Sequence, residues 1–278
     1  VGSRLFKLVA SGNDFLVVDA RGGGDDETDA AGARALCDRH EGVGADGLVT
    51  LLPSATATAR FMLRNADGSR AAFSGNGARC AALLLHRLHA SQAGCVRFET
   101  AAGITGARIM EEDELARVEV EIGAPRDIRL ALELPAGSPA PRGDYAVVGV
   151  PYLAVAVEDV DALDLERVAP PLRRWSAFAE GANVAFYERP REGRAVRLRT
   201  WERGVEGETL SSGTGCAAVA LALALHEGAV DGERRFAFVP RSGRPEVVAC
   251  LAGGGITMLR LMGDARLVAE ILLPPRSS

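Results

Sequence analysis

Lysine is nearly absent from this chain: of 32 basic residues only Lys7 is a lysine, and it sits in an apolar, strand-like segment near the start. Pyridoxal phosphate chemistry needs a Schiff-base lysine in a phosphate-binding pocket, so an enzyme of that kind is not expected. No GxxxxGK[ST] occurs, which excludes a P-loop enzyme. Cysteines number five (Cys37, Cys80, Cys95, Cys216, Cys250), an odd count without a CxxC pair. Neither a disulfide framework nor a zinc site is expected, and reduced thiols fit a cytoplasmic protein. The four histidines are His40, His86, His89 and His226. His86 and His89 stand at i, i+3 on an apolar helix with no carboxylate on that face, so they read as helix-end residues and no metal site is expected. Net charge is −5 without a basic block, which argues against nucleic acid. No apolar run reaches the roughly 18 to 20 residues of a membrane span, and the N-terminal stretch has no leader pattern.

What is present is a globular composition, 47% hydrophobic and 25% charged over 278 residues, enough for one large domain or two ordinary ones. Two stretches resemble each other: Phe73-Ser74-Gly75-Asn76-Gly77-Ala78-Arg79-Cys80 and Ser211-Ser212-Gly213-Thr214-Gly215-Cys216-Ala217-Ala218. Each is a polar, Gly-rich turn running into an Ala/Leu-rich segment, which reads as a loop feeding a buried helix. Their half-chain spacing implies two related halves. A helix start carries unpaired N–H groups and a partial positive charge, so each turn is a ready anion site. Two such starts facing one carboxylate would set Ser74 and Ser212 beside its α-carbon, the arrangement for removing a proton on one face and returning it on the other. Read singly, S-G-x-G is an N-cap and a flexible turn.

Taken in order, strands are expected over 4–10 and 15–19 around a turn at 11–14, a helix over 28–40, and strands over 48–52 and 58–63. A buried helix over 77–90 follows, then strands over 95–100, 104–110 and 115–122. The Pro/Gly-rich stretch 135–143 marks passage into the second half, with the boundary near residue 120. Strands are expected over 146–150 and 154–157 around Pro151-Tyr152. A mixed segment over 163–175 is broken by Pro170-Pro171, and strands follow over 183–187 and 195–200. The second buried helix spans 215–226, and strands over 236–239, 246–251, 256–261 and 267–273 complete the chain. The first domain is therefore 1–120, with the terminal strand at 265–278 returning to it, and the second is 121–264.

An ordered set of motifs then resembles the diaminopimelate epimerase family, in the superfamily that also holds proline racemase. The set is Gly12-Asn13-Asp14-Phe15, Cys37-Asp38-Arg39-His40 with Gly42 to Gly47, Asn65-Ala66-Asp67-Gly68-Ser69, Gly75 to Cys80, Gly181-Ala182-Asn183-Val184, and Glu202-Arg203-Gly204 through Gly213-Thr214-Gly215. The resemblance implies an α+β fold of two similar domains, each a mostly antiparallel, barrel-like sheet around a central helix. It also implies a cofactor-independent inversion of LL-diaminopimelate to the meso form, in lysine and cell-wall synthesis. By that resemblance Asn13, Asn65, Asn183, Glu202 and Arg203 bind the distal end of a small amino-acid substrate. The amides of Gly75, Asn76, Gly213 and Thr214 hold the reacting carboxylate, and a homodimer is compatible with the family.

The sequence departs from the family where chemistry is expected. The two catalytic cysteines are replaced by Ser74 and Ser212, and a serine hydroxyl needs an adjacent base where a thiol at a helix start does not. Gly149-Val150-Pro151-Tyr152 stands where the family usually has Gly-Asn-Pro-His. Three accounts stay open: an epimerase with deliberate Cys→Ser exchanges, a natural isomerase acting on another small acid with Asp67 or Glu208 as base, and a catalytically silent amino-acid binder. Cys80 and Cys216 lie inside the apolar helices and read as packing residues.

Overall fold

The computed structural model describes residues 4–23, 29–101, 103–112, 115–190 and 194–273. In chain order the elements are β1 (Arg4–Ala10), β2 (Asn13–Asp19), α1 (Ala30–Cys37), β3 (Gly47–Leu52), β4 (Ala59–Asn65), β5 (Arg70–Ala71), α2 (Gly75–Arg87), β6 (Cys95–Thr100), β7 (Gly103–Glu111) and β8 (Ala116–Gly123). There follow β9 (Arg126–Glu133), β10 (Arg142–Val148), β11 (Val150–Val157), α3 (Leu165–Arg173), β12 (Asn183–Glu188), β13 (Val196–Glu202), β14 (Gly207–Thr209), α4 (Gly213–His226), β15 (Gly232–Val239), β16 (Glu246–Ala252) and β17 (Gly255–Leu272). Contacts divide the chain into two units, one running to Val120 and resuming at Gly263, the other spanning Glu121–Met262.

In the first unit β17 pairs antiparallel with β1 and β1 with β2, β2 runs parallel to β3, and β3 is antiparallel to β4. Strand β4 is parallel to β6, and β6, β7 and β8 continue antiparallel; a β8–β17 pairing closes a barrel of eight strands. The second unit repeats that order: β9, β10 and β11 are antiparallel, β11–β12 is parallel, and β12–β13 is antiparallel. There β13–β15 is parallel, and β15, β16 and β17 are antiparallel.

Alternation along the strands explains why each unit has an inner and an outer core, because successive side chains point to opposite faces. In β1 to β3, Phe6, Leu8, Phe15, Val17, Val49 and Leu51 face the inner cluster around α2. Their neighbours Leu5, Leu16 and Leu48 meet Ala33 and Cys37 of α1 on the other side. The second unit does the same: Tyr152, Ala154, Ala185 and Tyr187 pack on α4, while Leu153, Val155, Val184 and Phe186 pack on Leu165, Val168 and Leu172 of α3. Strands buried on both faces read as continuous apolar runs. A helix apolar on every side must be wrapped, and α2 is buried from Gly75 to Leu85 and α4 from Gly215 to Ala224.

Several elements differ from expectation, each for a local reason. Both central helices start two residues earlier, at Gly75 and Gly213, because the serines before them are N-caps. Helix α1 is shorter, opened by Asp29, whose carboxylate accepts from the Gly32 amide at 2.7 Å; Thr28 lies outside the described residues. The turn after β1 is only Ser11-Gly12, both at positive φ, and Asn13 and Asp14 already belong to β2. Strand β9, with the charged sequence RDIRLALE, is largely exposed and carries no alternation to read. Pro151 and Tyr152 lie within β11 rather than between two strands, and Pro170 and Pro171 lie inside α3, held by burial of Leu165, Val168, Ala169 and Leu172. Strands expected over 256–261 and 267–273 are one element, β17, and of the terminal segment 265–278 only residues up to 273 are described.

Candidate functional site

Ser212 and Ser74 occupy matching places. Each has an extended backbone, precedes a buried helix, and accepts a hydrogen bond on Oγ from the amide three residues on: Gly77 N to Ser74 and Gly215 N to Ser212, both 3.1 Å. The bond satisfies one of the orphan donors of the first turn; the earlier amides, of Gly75 and Asn76 and of Gly213 and Thr214, belong to the part of the turn that has no intrahelical acceptor. Gly215 is required here because a Cβ on it would lie 2.8 Å from Thr200 Cγ2 and 3.1 Å from Ser212 Oγ.

In the second unit the residues about Ser212 form one connected cluster. Tyr152 is fully buried, and its phenol donates to Glu202 Oε1 at 2.7 Å. A phenol has one proton, so the Ser212 hydroxyl, 2.6 Å away, donates to Tyr152 Oη, and Thr214 Oγ1 does so at 3.2 Å. Burial pushes the Tyr152 phenol well above its ordinary range, and the charge of Glu202 adds to the shift. Asn183 lies opposite Tyr152 on the parallel neighbour strand, and its Oδ1 accepts from the Arg203 amide at 2.7 Å. The Arg203 guanidinium meets the Glu180 carboxylate at 3.2 Å. Asn183, Glu202, Arg203, Ser212, Gly213 and Thr214 are thus gathered at one end of β11, β12, β13 and α4. Tyr152, which joins them, was not among the site residues expected from the sequence; the signal that could have found it was the departure at positions 149–152.

In the first unit the expected residues are held by a charged network. Asn76 Nδ2 donates to Asn13 Oδ1 at 3.1 Å, and Asn13 Nδ2 donates to Asp46. Arg79 is buried on α2; it donates to Asn76 Oδ1 and, at 3.1 Å, to Ser11 Oγ, whose own partner is Asp264 at 3.0 Å. Asn65 closes its turn with Ser69 Oγ at 2.9 Å and pairs with Gly47 across β3 and β4. Lys7 is spent on Asp14 at 2.6 Å and on the Gly44 carbonyl.

Asp14 carries a prediction of its own. Burial by itself would raise its pKa, but hydrogen bonds and charge from Arg39 and Lys7 outweigh it and hold the carboxyl well below the usual range. The folded pKa lies under the unfolded value of about 3.9, so the stabilisation is complete above that value and is lost as pH falls below about 4. The urea midpoint of the parent chain is therefore expected to drop steeply on acidification, and that of Asp14→Asn to start lower and drop less. Parallel acid limbs for the two proteins would refute the assignment.

Neither carboxylate proposed as a serine base from the sequence is placed to act as one. Glu208 is held by Arg199 at 2.8 and 2.6 Å, with Arg241 at 3.2 Å, and the Arg199 hydrogen bond keeps its pKa low. Asp67 accepts from the amide and hydroxyl of Ser69. Cys80 and Cys216 are fully buried, and burial pushes the Cys80 thiol up to about 12, as suits packing residues. His86 does meet a carboxylate, Glu112 at 3.0 Å, brought by the chain after β7, and His226 meets Asp144 at 3.0 Å. Among the described residues no three His, Cys, Asp or Glu side chains converge as a metal site, and no helix is long and apolar enough to cross a membrane.

The fold is that of epimerases, racemases and PhzF-type proteins. A PhzF-family phenazine biosynthesis protein from Bacillus anthracis superposes with a TM-score of 0.75 at 18% identity, covering 99% of each chain. A hydroxyproline epimerase from Agrobacterium vitis, solved with trans-4-hydroxy-L-proline, gives 0.68 at 21% identity over 98% of this chain and 90% of that one. Within that class the chain belongs to the diaminopimelate epimerase family, whose model matches residues 5–128 and again 145–268. A diaminopimelate epimerase of Methanothrix thermoacetophila is 40% identical over 230 residues, 77% of this chain and 78% of its own. One of Rhizorhabdus wittichii is 38% identical over 269 residues, 92% and 90% of the two chains.

Proposed function

We propose that the protein inverts the α-carbon of LL-diaminopimelate to give the meso form, with Ser74 and Ser212 at the two acid–base positions. The observation that carries this reading is the matched pair of hydroxyl N-caps, one on each central helix of a chain that belongs to the diaminopimelate epimerase family. Inversion needs one group to take the α-proton and a second to return it on the opposite face, so a duplicated cap supplies what the reaction asks. The unpaired first-turn amides of Gly75, Asn76, Gly213 and Thr214 suit the substrate carboxylate, which gains negative charge as the proton leaves. Asn13, Asn65, Asn183, Glu202 and Arg203 bind the distal amino-acid end, Glu202 through Oε2, since its Oε1 is taken by Tyr152. Each unit serves as one epimerase half, residues 265–273 belonging with the first, and five free cysteines suit a reducing, cytoplasmic setting. Pyridoxal phosphate has no part in this scheme, since the sole lysine is paired with Asp14.

Hydroxyls are poorer bases than thiolates, so turnover is slow. Tyr152 and Val150, where the family usually has His and Asn, favour a second reading in which another small amino or carboxylic acid is the substrate. Solvent deuterium uptake at the α-carbon tests both. Uptake into LL- and meso-diaminopimelate is expected; uptake only into other amino acids selects the second reading, and calorimetric binding with no uptake into any of them leaves a binder.

A further inference from the structure

We propose that Ser212 works through an oxygen-only proton relay, Ser212 to Tyr152 to Glu202, in which Glu202 is the terminal base and Tyr152 the residue that positions and transmits. The proposal rests on the acid–base role given to Ser212 above and deepens it.

Three observations converge on this arrangement. The contacts are short and in series: Ser212 Oγ to Tyr152 Oη at 2.6 Å, and Tyr152 Oη to Glu202 Oε1 at 2.7 Å. Their polarity is set, because the Gly215 amide occupies a lone pair of Ser212 Oγ and the Tyr152 proton is directed at the carboxylate, which leaves the serine proton directed at Tyr152. Tyr152 is fully buried and Ser212 almost so, while Glu202 retains partial exposure, so water reaches the chain from its carboxylate end. Linked hydrogen bonds in such surroundings polarise one another. Thr214, donating to the same phenol oxygen at 3.2 Å, steadies it in the accepting orientation.

The step balances without another reagent. As the substrate C–H bond breaks, its proton forms a bond with Ser212 Oγ, the serine proton passes to Tyr152 Oη, and the tyrosine proton passes to Glu202 Oε1. Both hydroxyls end neutral, the electron pair remains on the substrate carbon, and the carboxylate has become a carboxylic acid. Read backwards, the same chain gives a proton to the face that Ser212 addresses, when Ser74 has taken one from the other. No free alkoxide is formed at any point, which is how a serine can stand in a thiol's place. Ser74 lacks such a chain: among the described residues its Oγ accepts from the Gly77 amide and meets no phenol or carboxylate.

The test uses the full chain and a small alkyl fluorophosphonate, whose P–F bond breaks as an activated serine oxygen attacks phosphorus. Labelling is mapped by mass spectrometry at both helix-cap serines, alongside α-deuterium uptake into diaminopimelate. Ser212 is expected to label about 100-fold faster than Ser74, the size of an effective general base. Tyr152→Phe and Glu202→Gln are expected to remove that advantage while leaving Ser74 labelling and the melting temperature nearly unchanged. A merely structural role for Tyr152 would shift melting and leave the ratio between the two serines alone. Equal labelling of both serines, labelling of neither, or a ratio indifferent to Tyr152→Phe overturns the relay. Selective labelling without deuterium uptake upholds the relay and removes diaminopimelate as its substrate.

Discussion

Cysteine at both cap positions, in the double variant Ser74→Cys with Ser212→Cys, is expected to raise α-proton exchange on diaminopimelate by about 100-fold or more. The reason lies in where the two side chains stand. Each Oγ already accepts an amide hydrogen bond at the start of a buried helix, so a sulfur in its place meets the same partial positive charge. A free thiol titrates near about 8.5 and is drawn toward neutrality at a helix start, which makes thiolate available without a second base. The single variants separate the two positions. Ser74 has no relay among the described residues, so Ser74→Cys gives the larger gain; Ser212→Cys gives less, since it exchanges a base-assisted hydroxyl for a larger sulfur facing a buried phenol. Deuterium wash-in followed by mass spectrometry reads all three proteins. An unchanged rate in the double variant would remove these positions from the chemistry.

The second large effect is structural. Arg79→Met is expected to destabilise the first unit by about 1 to 3 kcal/mol, the cost of leaving the buried Asn76 and Ser11 acceptors without their donor. Arg79 is 1% exposed; it braces Asn76 within α2 and ties the helix to the strand side of the barrel through the Ser11–Asp264 pair. Without the guanidinium, the Asp264 carboxylate keeps its Ser11 hydrogen bonds but loses the positive charge beside it. Both bonds leave a single nitrogen, Nη2, so Arg79→Lys, whose ammonium also carries several donors on one atom, recovers part of the loss. Gly263 belongs to the same device: a Cβ there would fall on the guanidinium, so β17 approaches closely only because that position is bare. Urea denaturation of Arg79→Met, Arg79→Lys and the parent measures the difference, and a loss under about 1 kcal/mol would mean the network contributes little.

Much of the architecture is legible in the amino-acid sequence. Alternating and continuous apolar runs are local properties of a strand, so β1, β3, β6 and β12 fall where the pattern puts them, within a residue or so. The central helices are legible from their Ala/Leu content, while their starts lie two residues earlier than that content shows, where the serine caps set them. Elements whose stability comes from elsewhere were harder: β9 is exposed and charged, α3 holds two prolines in place by burial, and β17 runs unbroken through Gly263. Of the candidate site, both serines and the Asn and Gly residues beside the turns came from motifs alone. The bases assigned to the serines did not, since arginines far along the chain have already claimed Glu208.

The amino-acid order by itself determined the duplicated glycine turns, the caps on two apolar helices and the family to which the chain belongs. All of these depend on neighbours within a few positions. Only the tertiary structure decided what Ser212 can use as a base, because Tyr152 and Glu202 lie 60 and 10 positions away from it and 50 from each other. No helical or strand period encodes that meeting; it exists because β11, β13 and α4 bring their ends to one place, where a buried phenol has room for a single arrangement of its hydrogen bonds.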